Sequence, residues 1–189
     1  IAHAVETAVT NKRNKLSALF SKESFKLLIH NFSRVINSPD NLSARGSMLL
    51  GAAMAGCAIE ASMLGAAHSL ANPLTAHYSI IHGQAVGMTL PFVVRFNSKM
   101  EECSEIYGEL MKAAQIESSN EFDNQGENLA SYLLGLLQQA EMPIRLRDII
   151  DDKLMLPLLA KEAAGQWTAG FNPRFAGETE MENIYYEAY

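Results

Sequence analysis

The sequence predicts an all-α fold, a multi-helix bundle, and three observations carry that expectation. Apolar residues recur at spacings of three and four along most of the chain. No stretch sustains a period-two alternation, and the breaks between apolar segments fall at Asn, Gly and Pro. With 189 residues, 48% of them apolar, the chain is long enough to bury one substantial core, so residues 1–189 are read as a single helical domain.

The elements follow in order. Ile1-Ala2-His3-Ala4-Val5-Glu6 reads as the middle of an amphipathic helix with no capping residue before it. It has neither an initiator Met nor a signal-peptide core, and the expectation is the C-terminal part of a longer polypeptide. Across residues 21–37, Phe25, Leu28, Ile29, Phe32 and Ile36 form one apolar face, with Ser21 and Ser24 as caps and Ser38-Pro39-Asp40-Asn41 as the stop. The longest helix is expected over residues 41–71. Its middle, residues 48–67, is built mostly from Ala, Gly, Met, Leu and Ser, with Glu60 as the only charge. That charge and the scarcity of branched aliphatics argue for a buried central helix closely approached by others, not a membrane span.

Pro73 is expected to end this helix by forcing Asn72 out of the helical region. A loop to Ile81 then leads to a helix opening at His82-Gly83, kinked or interrupted by Pro91 before Asn97. Further helices are expected over residues 100–114, 124–140, 153–168 and 178–189, with a polar surface loop at 117–125. Met142-Pro143 and Phe171-Asn172-Pro173-Arg174 supply the other breaks.

The formal charge of −6, with Lys and Arg dispersed, offers no footprint for nucleic acid. Only Cys57 and Cys103 are present, which makes no disulfide framework and suits a reducing cytoplasm. No membrane partner is expected.

Three of the five histidines, His68, His77 and His82, fall within fifteen residues. Neutral imidazole is the commonest protein ligand for zinc and divalent iron, so their concentration beside helix ends points to metal chemistry. His68, placed in the last turn of the long helix, and His82, at the start of the next, could face one point if the chain between them folds back. His3, on an apolar core-forming helix, is the leading third ligand. Three histidines and one oxygen ligand would leave an open position for substrate, as at catalytic zinc sites. The alternative is that these are hydrogen-bonded polar residues. It is the stronger reading for His30, among polar neighbours, and for His77 on a loop.

The segment AAHSLANPLTAHYSIIHGQAVGMTLPFVVRFN resembles the signature of the iron-containing (group III) alcohol dehydrogenases, roughly H-x-x-A-H-x-x-G-x-x-x-x-x-P-H-G followed by a helix ending L-P-x-V-x-x-F/Y-N. His68, Ala71, His82 and Gly83 match it, as do Leu90-Pro91, Val93, Phe96 and Asn97. The opening Ala2-His3-Ala4-Val5-Glu6 is similar to the family's D-x-x-x-H-A-[IV]-E helix, and Asn172-Pro173-Arg174 to its C-terminal end.

The resemblance implies the dehydroquinate synthase-like helical C-terminal half of a two-domain enzyme, preceded by an α/β nucleotide-binding domain. It implies one divalent metal, Fe2+ or Zn2+, held by His3, His68, His82 and an Asp four residues ahead of His3, before Ile1. The implied reaction is hydride transfer between NAD(P), bound mainly by the preceding domain, and a small alcohol, aldehyde or ketone. Asn72 stands where the family has a second histidine that faces the cofactor cleft and assists binding or proton relay. Asn hydrogen-bonds but takes up no proton near neutral pH, and His77 is the candidate compensating acceptor. Thr75 replaces the usual Gly and Ile81 the usual Pro. Ile80, Ile81 and Met88 are expected to shape the substrate pocket, and the apolar helices are compatible with a homodimer. The alternatives are a same-fold relative (a glycerol dehydrogenase, a maleylacetate reductase or a dehydroquinate synthase-like lyase) or a catalytically degenerate domain serving assembly or partner binding.

Overall fold

Asn14, seven residues ahead of the first expected cap, Ser21, opens the first long helix. In the computed structural model, which describes residues 1–116 and 124–189, a short helix α1 (Ala2–Thr7) precedes α2 (Lys15–Asn37). The Asn14 side chain accepts from the backbone N–H groups of Leu16 and Ser17 at 3.0 Å each. Ser17 Oγ in turn accepts from Asn14 N at 3.0 Å, a complete capping box. Ser21 and Ser24 therefore lie inside the helix and cap nothing. Their hydroxyls serve helix crossings: Ser21 pairs with Thr7 of α1 at 2.7 Å. Ser24 donates to the Gly51 carbonyl, also at 2.7 Å.

The expected helix over 41–71 is two helices, α3 (Leu42–Ala61) and α4 (Ala66–Tyr78). Asn41 caps α3, accepting from Ala44 N at 3.0 Å. The helix is not buried on all sides: Ala44, Gly51, Ala55 and Ala58 form its one buried stripe. A Cβ on Gly51 would stand 2.9 Å from Leu28 Cγ, so the α2–α3 crossing requires the missing side chain there, whereas Gly46 and Gly56 face open space. On the other side Leu42 is 82% exposed and Leu49 73%. The small residues mark one close crossing, and composition does not say how many faces of a helix are covered. By length and composition Leu42–Ala61 could cross a membrane; here it packs along α2.

Helix α4 runs through Pro73 and stops where Ser79 adopts a left-handed φ of 54°. A proline inside a helix costs about 3 kcal/mol. Burial of every residue from Ala66 to Ala71 and of Leu74 offsets that loss, so the turn before the proline stays helical. His68 consequently sits in the first turn of α4, and His77 in its last turn, not in a loop.

Helix α5 (His82–Asn97) contains Pro91 and is buried along most of its length from Ala85 onward, packed against α4, α7 (Gln125–Gln139) and α9 (Glu178–Ala188). Helix α6 (Glu101–Ala113) and α7 fall within a residue or two of expectation, and Asn124 caps α7 by accepting from Gly126 N at 2.8 Å. Residues 117–123 of the expected polar loop lie outside the described residues. The helix expected over 153–168 is shorter: α8 spans Leu156–Ala164, and 3-10 turns at Lys153–Met155 and Trp167–Phe171 flank it. No strand occurs among the described residues, and the fold is all-α.

The two cysteines differ sharply. Cys57 is exposed on α3, and Cys103 is buried on α6, where burial, aided by Glu102, pushes its thiol up to about 11. Iodoacetamide at pH 8 is expected to alkylate Cys57 and spare Cys103 in the native protein, read by peptide mapping. Equal labelling of both would contradict this packing.

Candidate metal centre

The site is assembled at the N-terminus of α4. The first turn of any helix leaves N–H groups without internal partners, and its positive end favours a carboxylate. Gly65, as N-cap, has no side chain to supply one. Glu6, brought over by α1 and only 4% exposed, does so instead. Its Oε1 accepts from Gly65 N at 3.2 Å, Ala67 N at 2.8 Å and His68 N at 3.4 Å. Its Oε2 accepts from His68 Nδ1. Ala66 N donates to Asn172 Oδ1 at 3.3 Å, which completes the turn. A Cβ at Gly65 would stand 3.0 Å from that Oδ1 and 3.3 Å from Glu6 Oε1, so glycine is the residue that lets both caps approach.

Asn172 is itself locked. It exchanges side-chain hydrogen bonds with Asn97 at 2.8 and 3.1 Å and donates to the Arg174 carbonyl at 2.7 Å. Arg174 Nη1 donates to the Phe96 carbonyl at 2.9 Å and its guanidinium lies 3.9 Å from the Phe96 ring centre. The Phe96-Asn97 and Asn172-Pro173-Arg174 motifs, far apart in sequence, thus form one clamp on the end of α5 and the start of α4.

Three imidazoles from three helices meet in front of this clamp. The His3 and His68 ring centres are 4.9 Å apart, and those of His68 and His82 are 5.4 Å apart. Two imidazoles sharing one tetrahedral ion at about 2.0–2.1 Å from each nitrogen have ring centres about 5 Å apart, so both spacings suit a common cation. As the side chains lie, no three His, Cys, Asp or Glu groups among the described residues form a ready-made metal cluster.

Burial, then the neighbouring His68, lowers His3 to about 4, and the same causes lower His82. Both rings are therefore neutral near pH 7, the form that ligates. The residue types of these donors and the spacing of their rings fit a divalent cation.

All three histidines line a cavity of about 400 Å³ whose other walls are apolar, including Phe32, Val86, Leu90, Leu133, Leu137 and Met142. Ile80, Ile81 and Met88 do not line it: Ile80 and Met88 are buried in the core, and Ile81 faces outward. Asn72, one turn beyond His68, donates to Gln166 Oε1 at 2.9 Å and is not in this wall. His77 pairs with Glu162 at 2.9 Å at the surface, also away from the wall. His30 donates to the Ala114 carbonyl at 2.8 Å, the structural part expected of it. Glu6 closes the Ala2-His3-Ala4-Val5-Glu6 motif, in which spacing and residue type single out only His3 as a ligand. The available signal was an acid one helical turn after His3, on the same face of an otherwise apolar segment.

Comparison with known proteins decides the family. The pattern of the Fe-containing alcohol dehydrogenase family, C-terminal, matches residues 1–189. The chain belongs to this family. It is 27% identical over 194 residues to the 1,3-propanediol dehydrogenase of Klebsiella pneumoniae, covering 100% of this chain and 49% of that protein. It is 29% identical over 143 residues to the lactaldehyde reductase of Escherichia coli K12, covering 75% of this chain and 37% of that one. A crystal structure of a 1,3-propanediol oxidoreductase superposes with a TM-score of 0.91 at 26% identity, over 100% of this chain and 49% of that chain. The chain spans about half the length of these whole-chain matches.

Proposed function

We propose that this chain is the metal-binding half of a two-domain, NAD(P)-dependent alcohol dehydrogenase, with His3, His68 and His82 as nitrogen ligands of one divalent cation, Fe2+ or Zn2+. The observation that carries this reading is the meeting of three imidazoles from α1, α4 and α5 on one cavity wall, at spacings a single ion would span. When bound, the cation supplies Lewis acidity toward an alcohol or carbonyl oxygen and the nicotinamide supplies or takes the hydride.

The chain's own part is to hold the site in shape. Burial keeps His3 deprotonated, and the apolar wall limits water around His3 and His68. The clamp built from Glu6, Asn97 and Asn172 fixes the turn that carries His68. Asn72 is assigned a hydrogen-bonding part on the cofactor side, one turn beyond His68, and relays no proton. His77, committed to Glu162, takes no part in this reading. The substrates are small alcohols, aldehydes or ketones; the α/β domain and the fourth, carboxylate ligand come from chain ahead of Ile1.

Two measurements on the full-length protein test this. About one divalent ion per chain is expected after reconstitution with Fe2+ or Zn2+, together with alcohol-dependent reduction of NAD+ or NADP+. A reconstituted protein that holds no metal and reduces neither nucleotide with any alcohol would overturn the reading in favour of a domain serving only assembly.

A further inference from the structure

We propose that Glu6 is a positioning residue for the metal site, dictating which nitrogen of His68 is free to ligate. The inference rests on the proposed function for its consequence, though not for its geometry. A carboxylate only accepts hydrogen bonds, so the His68 Nδ1 that meets Glu6 Oε2 must carry a proton. A neutral imidazole has a single N–H, which leaves Nε2 with its lone pair as the ligating nitrogen.

Burial makes the arrangement tight: Glu6 is 4% exposed and His68 5%. The same carboxylate takes three backbone N–H groups at the head of α4, so it is held in place before any metal arrives. Glu6 also lies one turn beyond His3 on α1. One side chain therefore sets the tautomer of one histidine and fixes the helix of another. Partners of this kind, one bond removed from the metal, tune affinity as well as orientation.

Glu6→Gln separates this role from simple helix capping. The amide oxygen can still accept from the α4 N–H groups, but the remaining group on the side chain is then an NH2 facing Nδ1. His68 Nδ1 must become an acceptor, and its proton moves to Nε2. The first readout needs no metal: 15N shifts of the His68 ring in the histidine-labelled, metal-free full-length protein, assigned by the peaks missing in His68→Gln. The expected result is Nδ1–H in the native protein and Nε2–H in Glu6→Gln.

The second readout is Zn2+ affinity by chelator competition, expected to fall roughly 10–100-fold in Glu6→Gln. A native His68 protonated at Nε2 overturns the assignment, as does a folded Glu6→Gln that binds Zn2+ as tightly as the native protein. Should Glu6→Gln fail to fold, the native tautomer alone still decides. Should the native protein bind no Zn2+, the metal reading falls while the tautomer measurement continues to test the part given to Glu6.

Discussion

His82→Ala is expected to lower the metal affinity of the full-length protein by about 100-fold or more while leaving its fold intact. Four ligands together give structural zinc sites roughly 10–16 kcal/mol, so one imidazole accounts for about 3 kcal/mol. His82 opens α5 at the exposed mouth of the cavity, and no core packing depends on it. Exposed substitutions of this kind change stability by about 0.5 kcal/mol or less. The metal-free variant should therefore melt within about 2 °C of the native apoprotein. Metal content by elemental analysis, turnover with an alcohol and NAD(P), and a melting curve make the comparison. Retained metal and turnover would place the cation elsewhere. His68→Ala is the less clean variant because it also strips a partner from the buried Glu6 carboxylate.

Asn172→Ala is expected to cost about 2–4 kcal/mol, because it leaves several buried polar groups without partners. The amide of Asn97 loses both of its bonds to Asn172, and Ala66 N loses its acceptor. The expected signs are a melting temperature lower by roughly 5–15 °C and a lower urea midpoint with an unchanged m-value. Combining Asn97→Ala with Asn172→Ala should cost less than the sum of the two, since each single change already removes both of the bonds the two amides share. Strict additivity would contradict the reciprocal pair and with it the clamp on the first turn of α4.

These two variants also mark what the sequence could and could not disclose. Helices α6, α7 and α9 were legible from their apolar periodicity, reinforced at the head of α7 by the local cap Asn124. The division between α3 and α4 was not. The groups that start α4 come from Glu6, 61 residues away from Ala67, and from Asn172, 106 residues away from Ala66. A propensity window along Ser62-Met63-Leu64-Gly65 contains no trace of them. Pro73 misled for the same reason, since tertiary burial around Leu70 and Leu74 outweighs the local rule.

The Gly and Ala content of α3 signalled a close helix crossing at Gly51, yet said nothing about the side that carries Leu42 and Leu49. At the site, His3, His68 and His82 were legible from residue type and motif spacing. Glu6 was hidden because its partners are backbone groups and an imidazole that meet it only in the folded chain. His77 was placed in a loop by the expected break at Pro73. Once α4 continues to Tyr78, the ring turns to Glu162 on α8.

Three imidazoles from separate helices are proposed to share one cation. Anomalous diffraction at the metal edge, on crystals of the full-length protein loaded with Zn2+ or Fe2+, tests it most directly. One strong peak is expected within bonding distance, about 2.0–2.1 Å, of a ring nitrogen from each of His3, His68 and His82. A loaded crystal whose only metal peak lies on other residues, or one with no peak between these rings, would contradict it.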